Sequence, residues 1–133
     1  MNAQLMSARK KKLEYTIGLY LNTDDRRVFG KAGAQILEAV GECGSITAAA
    51  RKLKVSYRFT WNYLTRLRKE LHQPVVVTRR GGTPSAKKKG GGGTTLTPFA
   101  KVLLKDFTET ERLMQQTLSR REKPAVTSSF KRE

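Results

Sequence analysis

The run Gly44-Ser45-Ile46-Thr47-Ala48-Ala49-Ala50-Arg51-Lys52-Leu53-Lys54-Val55-Ser56-Tyr57 constrains this chain more than any other segment. It fits a short helix, a tight turn and the cap of a second helix into a single short stretch. Three consecutive alanines leave the first helix with little bulk on several faces, so another helix can cross it closely, which is the layout of a helix-turn-helix. Ser56 restarts the chain with a hydroxyl placed to accept from an orphan N–H of the next turn. The spacing predicts a second helix over about 57–71. At about 100° per residue, Thr60, Leu64, Leu67 and Leu71 fall in one stripe and are assigned to the core. The opposite face holds Arg58, Asn62, Thr65 and Lys69 with Arg66 on its shoulder, side chains that reach base edges and phosphates. Phe59 and Tyr63 share one flank, and Tyr57, Trp61 and Arg68 the other. Phe59, Trp61 and Tyr63 are read as core or rim packing, whereas Tyr57, at the helix N-terminus, can meet phosphate or a base edge.

Charge points to the same partner. Against 11 Asp and Glu stand 27 Lys and Arg, a formal net charge of +16, and a polyanion makes such self-repulsion tolerable. A solvated basic surface and an anionic membrane are the rival readings. No apolar segment is long enough to span a bilayer and no secretory apolar region follows Met1, so a cytoplasmic, nucleoid-associated protein is expected. The length suits one domain with a modest core and a dimerisation element. With Cys43 the only cysteine and His72 the only histidine, no intramolecular disulfide or thiolate zinc site can form and a triad is poorly supplied, and no enzyme, metal or cofactor is expected. Cys43 is read as a small residue near a helix end, and His72 as a helix-end residue near the last carbonyls.

Residues 1–12, with Arg9-Lys10-Lys11-Lys12, read as a basic flexible arm. Over 13–21, Leu13, Tyr15, Ile17, Leu19 and Leu21 alternate with polar or small neighbours, the signature of a half-buried strand. Asn22-Thr23-Asp24-Asp25 is a turn cluster from which 26–29 return as the second arm of a hairpin. Ile36, Leu37 and Val40 then give a helix over roughly 31–42, ending near Gly44. After the second helix of the motif, Val75-Val76-Val77-Thr78 reads as a strand to which Thr94-Thr95-Leu96 pairs back. The intervening stretch carries Arg79, Arg80, Lys87, Lys88 and Lys89 with Gly90-Gly91-Gly92-Gly93 and no acid, so it reads as the flexible tip of a basic wing. Its glycines lack the Gly-Lys-Ser/Thr ending of a phosphate-binding loop.

Thr97-Pro98 is a strong helix start, with hydroxyl cap and first-turn proline. From there to about 120 no Gly or further Pro occurs, and Phe99, Leu103, Phe107, Thr110, Met114 and Thr117 recur at alternating spacings of four and three. A helix this long cannot lay its full length on so small a core, so these residues are expected to form a seam with a second copy, the alternative being a single helix packed back on its own domain. Residues 122–133 read as a disordered tail. The expected organisation is thus an arm over 1–12, a winged helix-turn-helix over 13–96, a dimerisation helix over 97–121 and the tail. In fold class this is mainly α with small β hairpins.

Several of these motifs together resemble a known family. Gly44-Ser45-Ile46 with the alanines, Ser56-Tyr57-Arg58 with Trp61, Arg79-Arg80-Gly81-Gly82 leading to Gly90-Gly91-Gly92-Gly93, Leu96-Thr97-Pro98, and Arg27-Val28-Phe29-Gly30 are similar to the N-terminal DNA-binding domain of ModE-type molybdate-responsive regulators. A more distant likeness to LysR-type readers runs through Ala48-Ala49-Ala50, Leu53, Val55-Ser56 and Leu96-Thr97. The resemblance implies a winged helix-turn-helix that dimerises through its long C-terminal helix and recognises palindromic operators in double-stranded DNA. By position it implies DNA contacts from Ser56, Tyr57, Arg58, Arg79, Arg80 and the glycine wing. Lys54 stands where the family's turn usually has glycine, and the wing is longer than in many members. The molybdate-binding modules of full-length members are absent from the sequence, so molybdate binding is not expected. A homodimeric transcription regulator is the leading expectation, and an architectural chromatin protein of low sequence preference its rival.

Overall fold

The computed structural model describes residues 13–79, 93–121 and 124–126. Its elements are β1 (Leu21–Thr23), β2 (Arg26–Phe29), α1 (Lys31–Cys43), α2 (Ile46–Leu53), α3 (Tyr57–Leu71), β3 (Val76–Arg79), β4 (Gly93–Leu96) and α4 (Pro98–Arg120). Three helices followed by an antiparallel hairpin and a long helix make a winged helix-turn-helix, mainly helical with small β hairpins.

The first hairpin is shorter than the alternation over 13–21 predicts. Residues 13–20 form no regular element, and β1 begins only at Leu21. A period-two pattern reports which side chains face inward but supplies no backbone partner, and β2 has only four residues to offer. Asp24 and Asp25 both take positive φ, 49° and 64°, the geometry of a tight two-residue hairpin turn. Leu21 pairs with Phe29 and Asn22 with Arg27, so Val28 is an extra residue in the ladder. This bulge lets the consecutive residues Val28 and Phe29 both enter the core, which a regular strand forbids.

Helix α1 buries Ile36, Leu37 and Val40 and ends at Gly44, whose φ of 71° is the left-handed conformation that glycine adopts without strain. Ala49 and Ala50 on α2 are buried, which brings α2 close to its neighbours. On α3 the inward residues are Thr60, Leu64 and Leu67, with Leu71 half-buried. Thr60 tolerates complete burial because its hydroxyl donates to the Ser56 carbonyl at 3.0 Å. The core is closed by Val75, Ala100 and Phe107, with the Phe107 ring edge-on to Phe29 at 5.2 Å.

Strands β3 and β4 pair from Val76 with Leu96 to Arg79 with Gly93. The Thr94 N–H donates to the Gly44 carbonyl at 2.8 Å, tying the returning strand to the turn between α1 and α2. Thr97 then caps α4: its hydroxyl donates to the Pro74 carbonyl at 2.8 Å and accepts from the Ala100 N–H at 3.1 Å.

Residues 18–111 form one compact unit, and the described residues of 13–17 and 112–126 belong to a second. Within the second unit the Arg121 guanidinium lies 5.6 Å over the Tyr15 ring.

Candidate nucleic-acid interface

Two serine caps place the reading helix. The Ser45 hydroxyl accepts from the Ala48 N–H and the Ser56 hydroxyl from the Phe59 N–H, each at 2.9 Å, so both helices of the motif start at fixed residues. Between them Lys54 ends α2 with φ 61° and ψ 40°, in the left-handed region. Its N–H bonds to the Arg51 carbonyl at 3.1 Å and that of Val55 to Ala50 at 3.0 Å. The turn therefore keeps the geometry a glycine would give, at the expense of a side chain in a disfavoured backbone state. Replacing Lys54 with glycine should stabilise the DNA-free protein by about 0.5–1 kcal/mol, since relief of that strain exceeds the added freedom of the unfolded chain. Urea titration checks it, and a lower midpoint would mean that Lys54 is not strained.

Helix α3 carries its side chains in the order that burial requires. Arg58, Asn62, Thr65, Arg66 and Lys69 are all exposed, on the side away from Thr60, Leu64 and Leu67. The Ser56 hydroxyl is taken up by the cap, so what it can offer a ligand is a fixed helix N-terminus more than a free donor. Arg66 stands 5.2 Å over the Tyr63 ring, and Phe59, Asn62, Tyr63 and Arg66 line a shallow groove on that side of the helix. Burial pushes the Tyr63 hydroxyl up from its ordinary pKa, with Arg66 pulling the other way, so it stays protonated at neutral pH. Arg79 is exposed at the last pair of the wing strands, opposite Gly93. Arg80, Lys87, Lys88 and Lys89 lie outside the described residues, as do the arm over 1–12 and most of the tail.

The aromatic residues of α3 separate by position. Tyr63 is half-buried, but Phe59 and Trp61 are 51% and 43% exposed and so sit at the rim, clear of the core. Trp61 stacks on Tyr57, itself 50% exposed. Sequence phasing put Trp61 on the same flank as Tyr57 and Arg68. What it could not supply is that, among the described residues, no element buries that flank. His72 is the C-terminal cap of α3, in the left-handed conformation at φ 56°, and Cys43 is the half-buried last residue of α1.

The expected seam along α4 divides in two. Phe107 is only 5% exposed and belongs to the core, with Phe99 and Leu103 half-buried against it. These three face the chain's own core, where Phe107 meets Phe29, an apolar surface that helical spacing alone cannot reveal. Leu113, Met114 and Thr117 are exposed, and the Thr110 and Thr117 hydroxyls donate to carbonyls of their own helix at 2.8 and 3.0 Å. Among the described residues no cluster of His, Cys, Asp and Glu could hold a metal ion, and no helix is long and apolar enough to cross a membrane.

A capped helix-turn-helix with an outward cationic face and an adjoining β wing defines the class: a DNA-reading winged helix-turn-helix. Residues 33–101, from α1 into the start of α4, match the family described as bacterial regulatory helix-turn-helix protein, lysR family. The chain belongs to that family. Among solved structures, ArgP from Mycobacterium tuberculosis is similar over 65% of this chain and 28% of its own, at 24% identity and a TM-score of 0.47. The chain thus spans little more than a quarter of ArgP's length. Among curated proteins no relative matches.

Proposed function

We propose that the chain acts as a homodimeric transcription regulator of the cytoplasm, nucleoid-associated, that recognises palindromic operators in double-stranded DNA. Helix α3 reads the major groove through Tyr57, Arg58, Asn62, Thr65, Arg66 and Lys69, with Ser56 fixing the helix end. The basic wing segment 79–93 adds phosphate contacts from Arg79, Arg80, Lys87, Lys88 and Lys89. The dimer forms along the seam of α4, on its exposed part at Met114 and Thr117. In this reading the DNA-binding part is of ModE type within the wider lysR family. One observation carries the reading: the polar and cationic side chains of α3 are segregated onto its exposed face while Thr60, Leu64 and Leu67 are buried.

Selection of bound duplexes from a random-sequence library is the test. A sharp, two-fold symmetric motif with half-sites about one or two helical turns apart is expected. A smooth distribution would favour the architectural reading, which the net charge of +16 also suits. On the selected duplex, Arg58→Ala and Asn62→Ala should each cost about 1–3 kcal/mol, and much less on random DNA, because lost base-edge contacts remove discrimination. Equal losses on both would assign these side chains to phosphate.

The wing lysines have a separate signature. Each lysine that meets a phosphate releases about one counterion, so changing Lys87, Lys88 and Lys89 together to Ala should flatten the log-affinity against log-salt slope by roughly 3 to 5 in a symmetric dimer. An unchanged slope on both operator and random duplexes would point these lysines into solvent.

A further inference from the structure

Trp61 and Tyr57 stand one helical turn apart on α3 with their rings parallel to within 5° and their centroids 6.5 Å apart. Both are about half exposed, and neither belongs to the core. A tryptophan left this open forfeits much of the burial that normally justifies so large an apolar side chain. Leu64, three residues after Trp61, is buried, but Arg58 and Thr65, three before and four after, are exposed, so the stacked rings adjoin the exposed polar face of α3.

Resting on the DNA-reading function proposed above, we infer that the Tyr57–Trp61 stack is a thymine reader, an apolar plate that packs against C5-methyl groups in the major groove. Arginine and asparagine recognise base edges by hydrogen bonds, and the one apolar feature those edges present is the thymine methyl. A flat aromatic surface beside Arg58 therefore supplies what the polar residues lack: a way to tell thymine from cytosine at the adjoining position. Charge argues for the same occupant. The exposed charged residues on the side of α3 that carries the stack are Arg58, Arg68 and Lys69, and the only acid on the helix, Glu70, is paired with Arg26 at 2.7 Å. A partner covering the rings must meet these cations as well, and duplex DNA brings phosphates and methyl groups together. The indole N–H and the Tyr57 hydroxyl, at the ring edges, stay free to meet phosphate oxygens.

The experiment uses the full chain and a duplex selected by it from a random-sequence library, together with copies in which each thymine in turn is replaced by deoxyuridine, which removes only the methyl. At least one thymine per half-site should show about fourfold weaker binding on this replacement, the ratio expected from uncovering one hydrocarbon carbon. Trp61→Gln should abolish that sensitivity, and Trp61→Leu should retain part of it. Because Trp61 is the only tryptophan, its emission should also change on saturation with the thymine duplex, and less with the deoxyuridine copy. The inference is overturned if no replacement weakens the wild type, if Trp61→Gln remains as sensitive as the wild type, or if Trp61 emission is unmoved by saturating duplex. A Trp61→Gln protein of altered mass in solution would also overturn it, by making the stack a protein contact. If no sequence motif emerges from the selection, the regulator reading fails and takes this one with it. A sharp motif with no response to deoxyuridine leaves that reading standing and removes the stack from it.

Discussion

Phe107→Ala should lower stability by about 3–5 kcal/mol, the range for emptying a buried aromatic site. The ring is 5% exposed and meets Phe29 edge-on at 5.2 Å, so its removal leaves a cavity that the surrounding helices cannot close. Leu113→Glu and Met114→Glu should behave differently, because both residues are exposed in the protomer. If the distal α4 joins two copies, these variants should be monomeric in sedimentation and bind the operator more weakly. Wild-type melting should also rise with protein concentration, and theirs should not. A Phe107→Ala protein that melts with the wild type would remove Phe107 from the core, and a monomeric wild type at micromolar concentration would sink the dimer.

Gly33→Ala should cost about 2–3 kcal/mol and lower the melting temperature by on the order of 10–20 °C. A methyl group at this position of α1 would overlap the Tyr63 hydroxyl outright and come within 2.8 Å of two Phe29 ring carbons. The tyrosine tip has room to shift, since Tyr63 is half-buried, but Phe29 is 1% exposed and fixed by its neighbours. Adding Tyr63→Phe should therefore restore only part of the loss, and the two substitutions should be non-additive. Thermal melts of the single and double variants decide it: full recovery in the double variant would place the whole conflict on the hydroxyl, and no loss in Gly33→Ala would mean that α1 can move away.

The reading helix was legible from residues alone because several local signals coincide on it. Ser56 caps it, Thr60, Leu64 and Leu67 mark its inner face, and both ends fall where the sequence places them. The wing strands were equally clear, since β-branched residues flank a stretch rich in glycine and lysine. Legibility failed where the outcome depends on partners distant in sequence. The alternation over 13–21 could not tell that only Leu21–Thr23 finds a strand to pair with. The repeat along α4 could not tell which apolar residues meet Phe29 in the same chain and which are left outside. Likewise Trp61 carries the composition of a core residue. Its exposure depends on which elements pack over that flank, and among the described residues none buries it, a property of the assembled fold and not of the helix.

An acidic side chain on a helix that meets a polyanion is a liability, and α3 has one. Arg26, the first residue of β2, holds Glu70 in an ion pair bridging 44 positions of sequence. The one negative charge of α3 is thus already countered from within the protein. The first hairpin thereby takes the one acid of α3 out of the balance and leaves Arg58, Arg66, Arg68 and Lys69 as its uncountered charges, a field made more uniform by a strand that precedes the motif.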